Sequence, residues 1–449
     1  MKTLFLLKDV SDFAPGAFEN TAVEDGSIQL GRSGGSYLHS GCYTSPPFRI
    51  EPFLHLVPSW NAATPHGTAV EVQVRVCADG QWSEWLSFGK WSPFIARFSP
   101  PAQENPLAAA TGSLLYIHKE KHPADMVQLR IYLYSDDQLS SPKVRLLGFS
   151  VSPVRHEREE SSRAERVLRL PMYSCLVRDP SLSSRIASPT TLSMLMNRWG
   201  QDTLPEEVAR ASYDFGAGQY GNLAFCSAIA GAYGYECHIQ YGSTEVLRNE
   251  IRRGHAVGAH IQHLPNKTSS SDLSTASADS DGYLVAVCGF SRRENEEWVI
   301  FHDPMAPSNM EVLCEIPLSQ FLKIYTGICL VLHKGGNGFG LDAPERLVGE
   351  VRIEDSFLRL FAKDELVPQS KFVPDGASLS TVSYTLPEGV AYASAAQKSF
   401  YYLQADEEGR ICFDAAALAG KKAAFYFVGP RGQTWVAERT VPPAEVSAP

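Results

Sequence analysis

A thiol, an imidazole and a carboxylate are the groups from which a protein builds a nucleophile at neutral pH, and this 449-residue sequence supplies them widely scattered. Nine cysteines run from Cys42 to Cys412 with no CxxC and no tight cluster. Neither a disulfide framework nor a zinc site is expected from that spacing, and the cysteines read as buried, reduced thiols of a cytoplasmic chain. His255, His260, His263 and His302 raise the question of a metal. His260 falls in a strand-like run, where residues three apart face opposite sides, so no metal and no other cofactor is expected. Cys175 is a free thiol that would react only if a neighbour lowered its pKa. Asp303 before Pro304 is a turn former as well as a carboxylate, and Ser188 before Pro189 reads as a helix N-cap rather than a nucleophile. Trp60, Trp82, Trp85 and Trp91 could stack on the apolar faces of a sugar, although crowded tryptophans in a β region more often form its core.

These side chains are distributed over three blocks. Residues 1–153 read as a β-sandwich or jelly roll, because Val70, Val72, Val74 and Val76 alternate with Glu71, Gln73 and Arg75 and short apolar runs follow between turn signals. Residues 154–166 include RHEREESSRAER, too charged to bury a face, and read as a linker. Residues 167–335 place helices before strands. Leu192, Leu195, Met196 and Trp199 follow Ser188-Pro189 at helical spacing and Gly200 stops the run. Thr203 with Glu206 suggests a capping box for a second helix, Asn222 to Tyr233 a third, and Thr244 to Arg253, closed by Gly254, a fourth. Runs at 256–261, 283–290, 298–302 and 328–333 read as strands, giving an α+β unit. Residues 266–280 read as a long loop, whose Asn266-Lys267-Thr268 sequon matters only in a glycosylating compartment. After the glycine-rich string KGGNGFGL, residues 343–449 read as a small C-terminal β-sandwich.

Lys and Arg total 40 against 50 Asp and Glu, a net charge of −10, which argues against a whole-chain nucleic-acid binder. No stretch approaches the ~18 apolar residues of a membrane-spanning helix. The apolar run at residues 4–7 is too short for a signal peptide.

In order and spacing, the strings LPMYSC (170–175), RIASPTTLSMLMNRWG (185–200), YGNLAFCSAIAGAYGY (220–235), LRNEIRRGHAVGAHI (247–261), DGYLVAVCGF (281–290) and EEWVIFHDP (296–304) resemble the bacterial C-39-like, papain-fold cysteine peptidases. The stretch from Trp60 to Thr68, with the strings WSEW at 82–85 and GKW at 89–91, is similar to the β domain that often precedes that peptidase. The resemblance implies a multidomain chain with a central α+β papain-like unit flanked by β-sandwiches.

Position by position, it also implies a missing reaction. The family nucleophile, a cysteine before Ser-Pro-Thr, falls on Ala187; the base, a histidine after glycine, falls on Tyr283; the oxyanion glutamine after serine falls on Cys175. Only the orienting carboxylate, Asp303, is kept. Alanine has no lone pair to attack a carbonyl, a phenol with pKa near 10 is a poor base, and loss of an oxyanion donor alone costs ~10²–10³ in rate. The resulting expectation is a pseudopeptidase that holds a peptide or protein segment in a vestigial cleft, with Ser188, Tyr283 and Asn222 as ligand contacts. An active cysteine peptidase seen in an inactivated or atypical form is one alternative, and a carbohydrate- or cell-surface-binding protein is another.

Overall fold

The computed structural model describes residues 2–154, 165–262 and 282–335, apart from positions 66, 94, 96, 119, 179–181, 202 and 295; beyond 335 it describes strand backbone alone. Most of the expected linker, His263 and the 266–280 loop lie outside the described residues. The chain is multidomain and mostly β, with few helices.

In the first block four long strands dominate: β1 (Phe48–Ala63), β2 (Thr68–Ala78), β3 (Ala124–Ser135) and β4 (Lys143–Pro153). The valines at 70, 72, 74 and 76 are fully buried on one face of β2, as a period of two requires. β2 pairs antiparallel with β3 from Thr68↔Ser135 to Cys77↔Met126, and β4 pairs with β1. Trp60 and Trp91 lie fully inside the core, which removes both from any sugar platform. Trp82 and Trp85 are half-buried under Arg75, whose guanidinium stands 4.7 Å from each ring, and Arg130 lies 4.2 Å from Trp85.

The second block runs α1 (Ala187–Asn197), α2 (Pro205–Ser212), α3 (Leu223–Ala232), β5 (Tyr235–Tyr241), α4 (Thr244–Arg253), β6 (Val257–Ile261), β7 (Tyr283–Arg293), β8 (Glu296–His302), β9 (Leu313–Pro317), α5 (Leu318–Ile324) and β10 (Tyr325–Lys334). Its sheet has the order β5-β10-β6-β7-β8-β9, every neighbour antiparallel. Two helix starts differ from the sequence pattern. α1 begins at Ala187, and Ser188 is not its cap, because the hydroxyl accepts the Leu284 N–H instead (3.1 Å). α2 begins at Pro205, where Glu207 accepts the Leu204 N–H (2.8 Å); Thr203 donates its hydroxyl to Asn197, and Glu206 is buried 3.7 Å from Arg178. α3 and α4 start as expected, capped by Asn222 and Ser243. Strands from Arg346–Val348 to Thr434–Thr440 form two further sheets, of five and four strands.

β5 is an edge of the second sheet, and its outward donors are satisfied by side chains from the first. Asn61 Oδ1 accepts from Cys237 N–H (3.0 Å), Ser59 Oγ from Ile239 N–H (2.8 Å) and Ser150 Oγ from Tyr241 N–H (3.0 Å). Asn61 Nδ2 returns a bond to the Cys237 carbonyl (2.8 Å). The spacing matches, since alternate residues of β1 share a face and alternate N–H groups of β5 point outward. Gly231 of α3 lies against the same asparagine, and a Cβ there would stand 2.5 Å from Asn61 Cβ. Trp60 meets Phe225 of α3 edge to face at 6.2 Å, and one apolar core runs through both blocks. The fully buried Arg97 adds a second tie, donating to the carbonyls of Ser92, Pro93 and Ile95 and, across the interface, to those of Tyr213 and Arg210.

Asn61→Ala strands the buried Cys237 N–H, which is expected to lower stability by about 1–3 kcal/mol in a denaturant titration. A loss below a few tenths of a kcal/mol contradicts the tie.

Candidate active site

Three segments converge where the sequence comparison places the chemistry: the first turn of α1, the start of β7, and the chain leaving β8. α1 and β7 are bolted together at Leu284, whose N–H reaches Ser188 Oγ (3.1 Å) and whose carbonyl accepts from Thr191 Oγ1 (2.6 Å). This fixes the positive, N-terminal end of α1 beside Tyr283. Gly282 leads into β7 with φ +115°, and a Cβ there would meet the Ile261 carbonyl at 2.1 Å, so only glycine admits the chain at this point.

Ala187 is buried at the helix start and presents a methyl group. Tyr283 donates its hydroxyl to Asp303 Oδ1 (3.2 Å), and the same oxygen accepts the Met305 N–H (2.9 Å). Burial, reinforced by the Asp303 charge, lifts the Tyr283 phenol well above its ordinary range, so it is a neutral donor at pH 7. Cys175 is fully buried, with its N–H on the Pro304 carbonyl (2.7 Å) and its sulfur 3.4 Å from Met305 Sδ. Burial, and then the Asp303 charge, push its thiol up to about 12. His302 is held below its usual pKa by burial and turns its Nδ1 to the Pro171 carbonyl (3.0 Å). Tyr283, Asp303 and Cys175 are thus brought together, and none of them is an ionised thiol or an imidazole base.

Asn222 stands elsewhere in function. It is buried, caps α3 through the Phe225 N–H (3.2 Å), accepts from Ser113 of the first block (2.8 Å) and donates to Asp214 (2.9 Å). Its polar atoms serve the junction between blocks. Ser188 is likewise engaged with Leu284. His260 Nδ1 pairs with Thr326 Oγ1 at 3.1 Å.

Sequence reasoning missed two features. Leu176 and Val177 follow Cys175, Met310 and Leu313 follow Asp303, and all four are exposed. The two segments are joined by Ser174 N–H to Asn309 Oδ1 (2.7 Å) and by the Ser174 hydroxyl to the Ala306 carbonyl, so the exposed apolar side chains sit on neighbouring stretches of chain. The other feature is Glu250, His255 and His333, three residues outside the site whose ligand atoms lie within 4.8 Å of one another and which could hold a metal. The last of them is 83 residues from the first, beyond any local motif.

The family profile described as Peptidase C39 N-terminal domain matches residues 6–152, and that described as Peptidase_C39 like family matches residues 168–329. The comparison with curated proteins gives no match. Among solved structures, the chain is similar to a double glycine motif protease from an AMS/PCAT transporter in complex with the leader peptide, at 16% identity over 37% of this chain and 93% of that one, with a TM-score of 0.25. A lectin from Bauhinia forficata in complex with GalNAc follows at 8% identity, 34% and 100% coverage and a TM-score of 0.22. At these scores neither likeness carries weight on fold or ligand.

Burial at this site and in the core sets the sign of an alkaline effect. Burial raises Cys175, Cys226, Cys288 and Cys329 each to about 12, against 9.0 for an unburied thiol. The folded chain therefore holds more protons than the unfolded one between those values; stability is complete below about pH 9 and falls as pH rises through the window. Denaturation midpoints should decline steadily above about pH 9, and Cys175 should alkylate no faster than the chain opens. A flat profile, or rapid native-state labelling of Cys175 near pH 8, contradicts the burial.

Proposed function

This chain belongs to the C39-like peptidase family, and we propose that it does so as a pseudopeptidase, a binder of peptide segments that does not cut them. The observation that carries this reading is the pairing of Ala187 at the helix start with a neutral Tyr283 hydrogen-bonded to Asp303. A peptidase of this kind needs a thiolate there, stabilised by the helix N-terminus and a nearby imidazolium. With neither group the scaffold keeps its geometry and loses its reaction. Cys175 is no substitute, because a thiol with a pKa of about 12 is protonated at pH 7. The exposed rim of Leu176, Val177, Met310 and Leu313 gives the cleft an apolar lip that suits an extended peptide with hydrophobic side chains.

The architecture proposed with this function is a β-sandwich over residues 1–153, a charged linker over 154–166, a papain-like unit over 167–335 and a second β-sandwich over 343–449. A reducing, cytoplasmic setting fits the free, mostly buried cysteines. No described helix is long and apolar enough to cross a membrane.

A pooled peptide library read by mass spectrometry tests the proposal on the whole chain, alongside Ala187→Cys and Ala187→Cys/Tyr283→His. The chain itself should cleave nothing, the double variant should gain labelling by a thiol-directed probe, and Met310→Asp with Leu313→Asp should lower peptide retention at least about tenfold, equal to about 1.4 kcal/mol. Cleavage by the unaltered chain, blocked by a cysteine-peptidase inhibitor, overturns the reading.

A further inference from the structure

We propose that Glu250, His255 and His333 form a binding site for a divalent first-row transition metal ion, zinc by the character of its donors, at the junction of α4 and β10. Three ligand atoms from separate elements are aimed at one another: His255 Nδ1 lies 2.8 Å and His333 Nε2 2.7 Å from the same oxygen, Glu250 Oε2. Two imidazoles and a carboxylate, with a further position left for water, is a donor set that zinc takes in open sites. Bonds of about 2.0–2.1 Å place tetrahedral ligand atoms about 3.3 Å apart, so each histidine needs to draw back from Glu250 Oε2 by roughly half an ångström to admit the ion.

The backbone holds these ligands in place without the ion. Glu250 is in the last turn of α4, and its carbonyl accepts the His255 N–H (2.8 Å) just past the Gly254 cap, which fixes the two side chains next to each other. β10 brings in His333, opposite Glu236 of β5. The rings of His255 and His333 stand 4.3 Å apart, centre to centre. Glu250 is buried at 7% side-chain exposure, whereas His255 and His333 keep 23% and 26%, so the group is anchored inside and open to solvent on one side.

The surroundings support ligation. Arg253 Nη1 bonds the second carboxylate oxygen (3.0 Å) and orients Glu250. Trp199 packs on His255 at 5.8 Å, and His238 stands edge-on to His333 at 6.4 Å. The Lys8 ammonium nearby is neutralised by Glu236 at 3.1 Å. In the metal-free chain the two imidazole N–H groups donate to the Glu250 carboxylate; an ion would take the place of those two protons, each of which leaves to solvent or moves to the other nitrogen of its ring.

The test is calorimetric titration of the whole chain, first stripped with a chelator, with zinc chloride, and a visible absorption spectrum after cobalt(II) addition. One ion per chain is expected, together with cobalt d–d bands free of thiolate-to-cobalt charge transfer, which separates this site from the cysteines. His255→Gln and His333→Gln should each weaken zinc binding at least about tenfold. The cobalt spectrum of the unaltered chain decides the matter if a variant fails to fold. No stoichiometric binding, thiolate bands in the cobalt spectrum, or affinity unchanged in both folded variants overturns the proposal.

Discussion

Cys237, Ile239 and Tyr241 turn their N–H groups away from their own sheet, and an edge of that kind left in water recruits another strand. Here the recruit is a row of side chains: Asn61 and Ser59 from β1 and Ser150 from β4. The arrangement ties the two family-matched blocks into one body, because the strand that ends the second sheet cannot be satisfied without the first. α3 depends on the same junction, since Gly231 leaves room for Asn61 and Asn222 caps the helix while receiving Ser113. The first block is therefore a structural requirement of the second.

With that body held, the site is rigid whether or not chemistry occurs in it. Ser188 and Thr191 clamp Leu284, Gly282 lets the chain into β7, and Asp303 receives both Tyr283 and Met305. None of these bonds needs a thiol at position 187 or an imidazole at 283. Ala187 fills its buried place with a methyl group, and the Tyr283 hydroxyl holds the carboxylate of Asp303. The result is a cluster whose polar groups bind one another, with Leu176, Val177, Met310 and Leu313 exposed on the two neighbouring segments.

Much of this was legible in the sequence wherever the signal was local. The alternating valines of β2 and the spans of α3 and α4 follow from spacing alone. What misled was every polar residue whose partner is distant. Ser188 reads as a cap because Pro189 follows it, yet Leu284, 96 residues on, claims its hydroxyl. Thr203 and Glu206 have capping-box spacing, but Asn197 and Arg178 take them. Asn222, expected as a ligand contact, has its side chain bonded to Ser113, Asp214 and the Phe225 N–H. Trp60 and Trp91 are fully buried, as crowding in a β region implies, whereas β5, whose Tyr-Glu-Cys-His-Ile-Gln-Tyr alternates with period two, is absent from the strands read from the sequence. Glu250 and His333 meet only because β10 closes beside α4, a fact no linear motif carries.

The most direct measurement of the central claim is hydrogen exchange of the whole chain with and without the peptides it retains from a library. Protection gained at the start of α1, at the first residues of β7 and along 174–177 and 305–313, with the peptides recovered intact, is the predicted result. Retained peptides that protect none of these segments, or that come back cut, contradict the account.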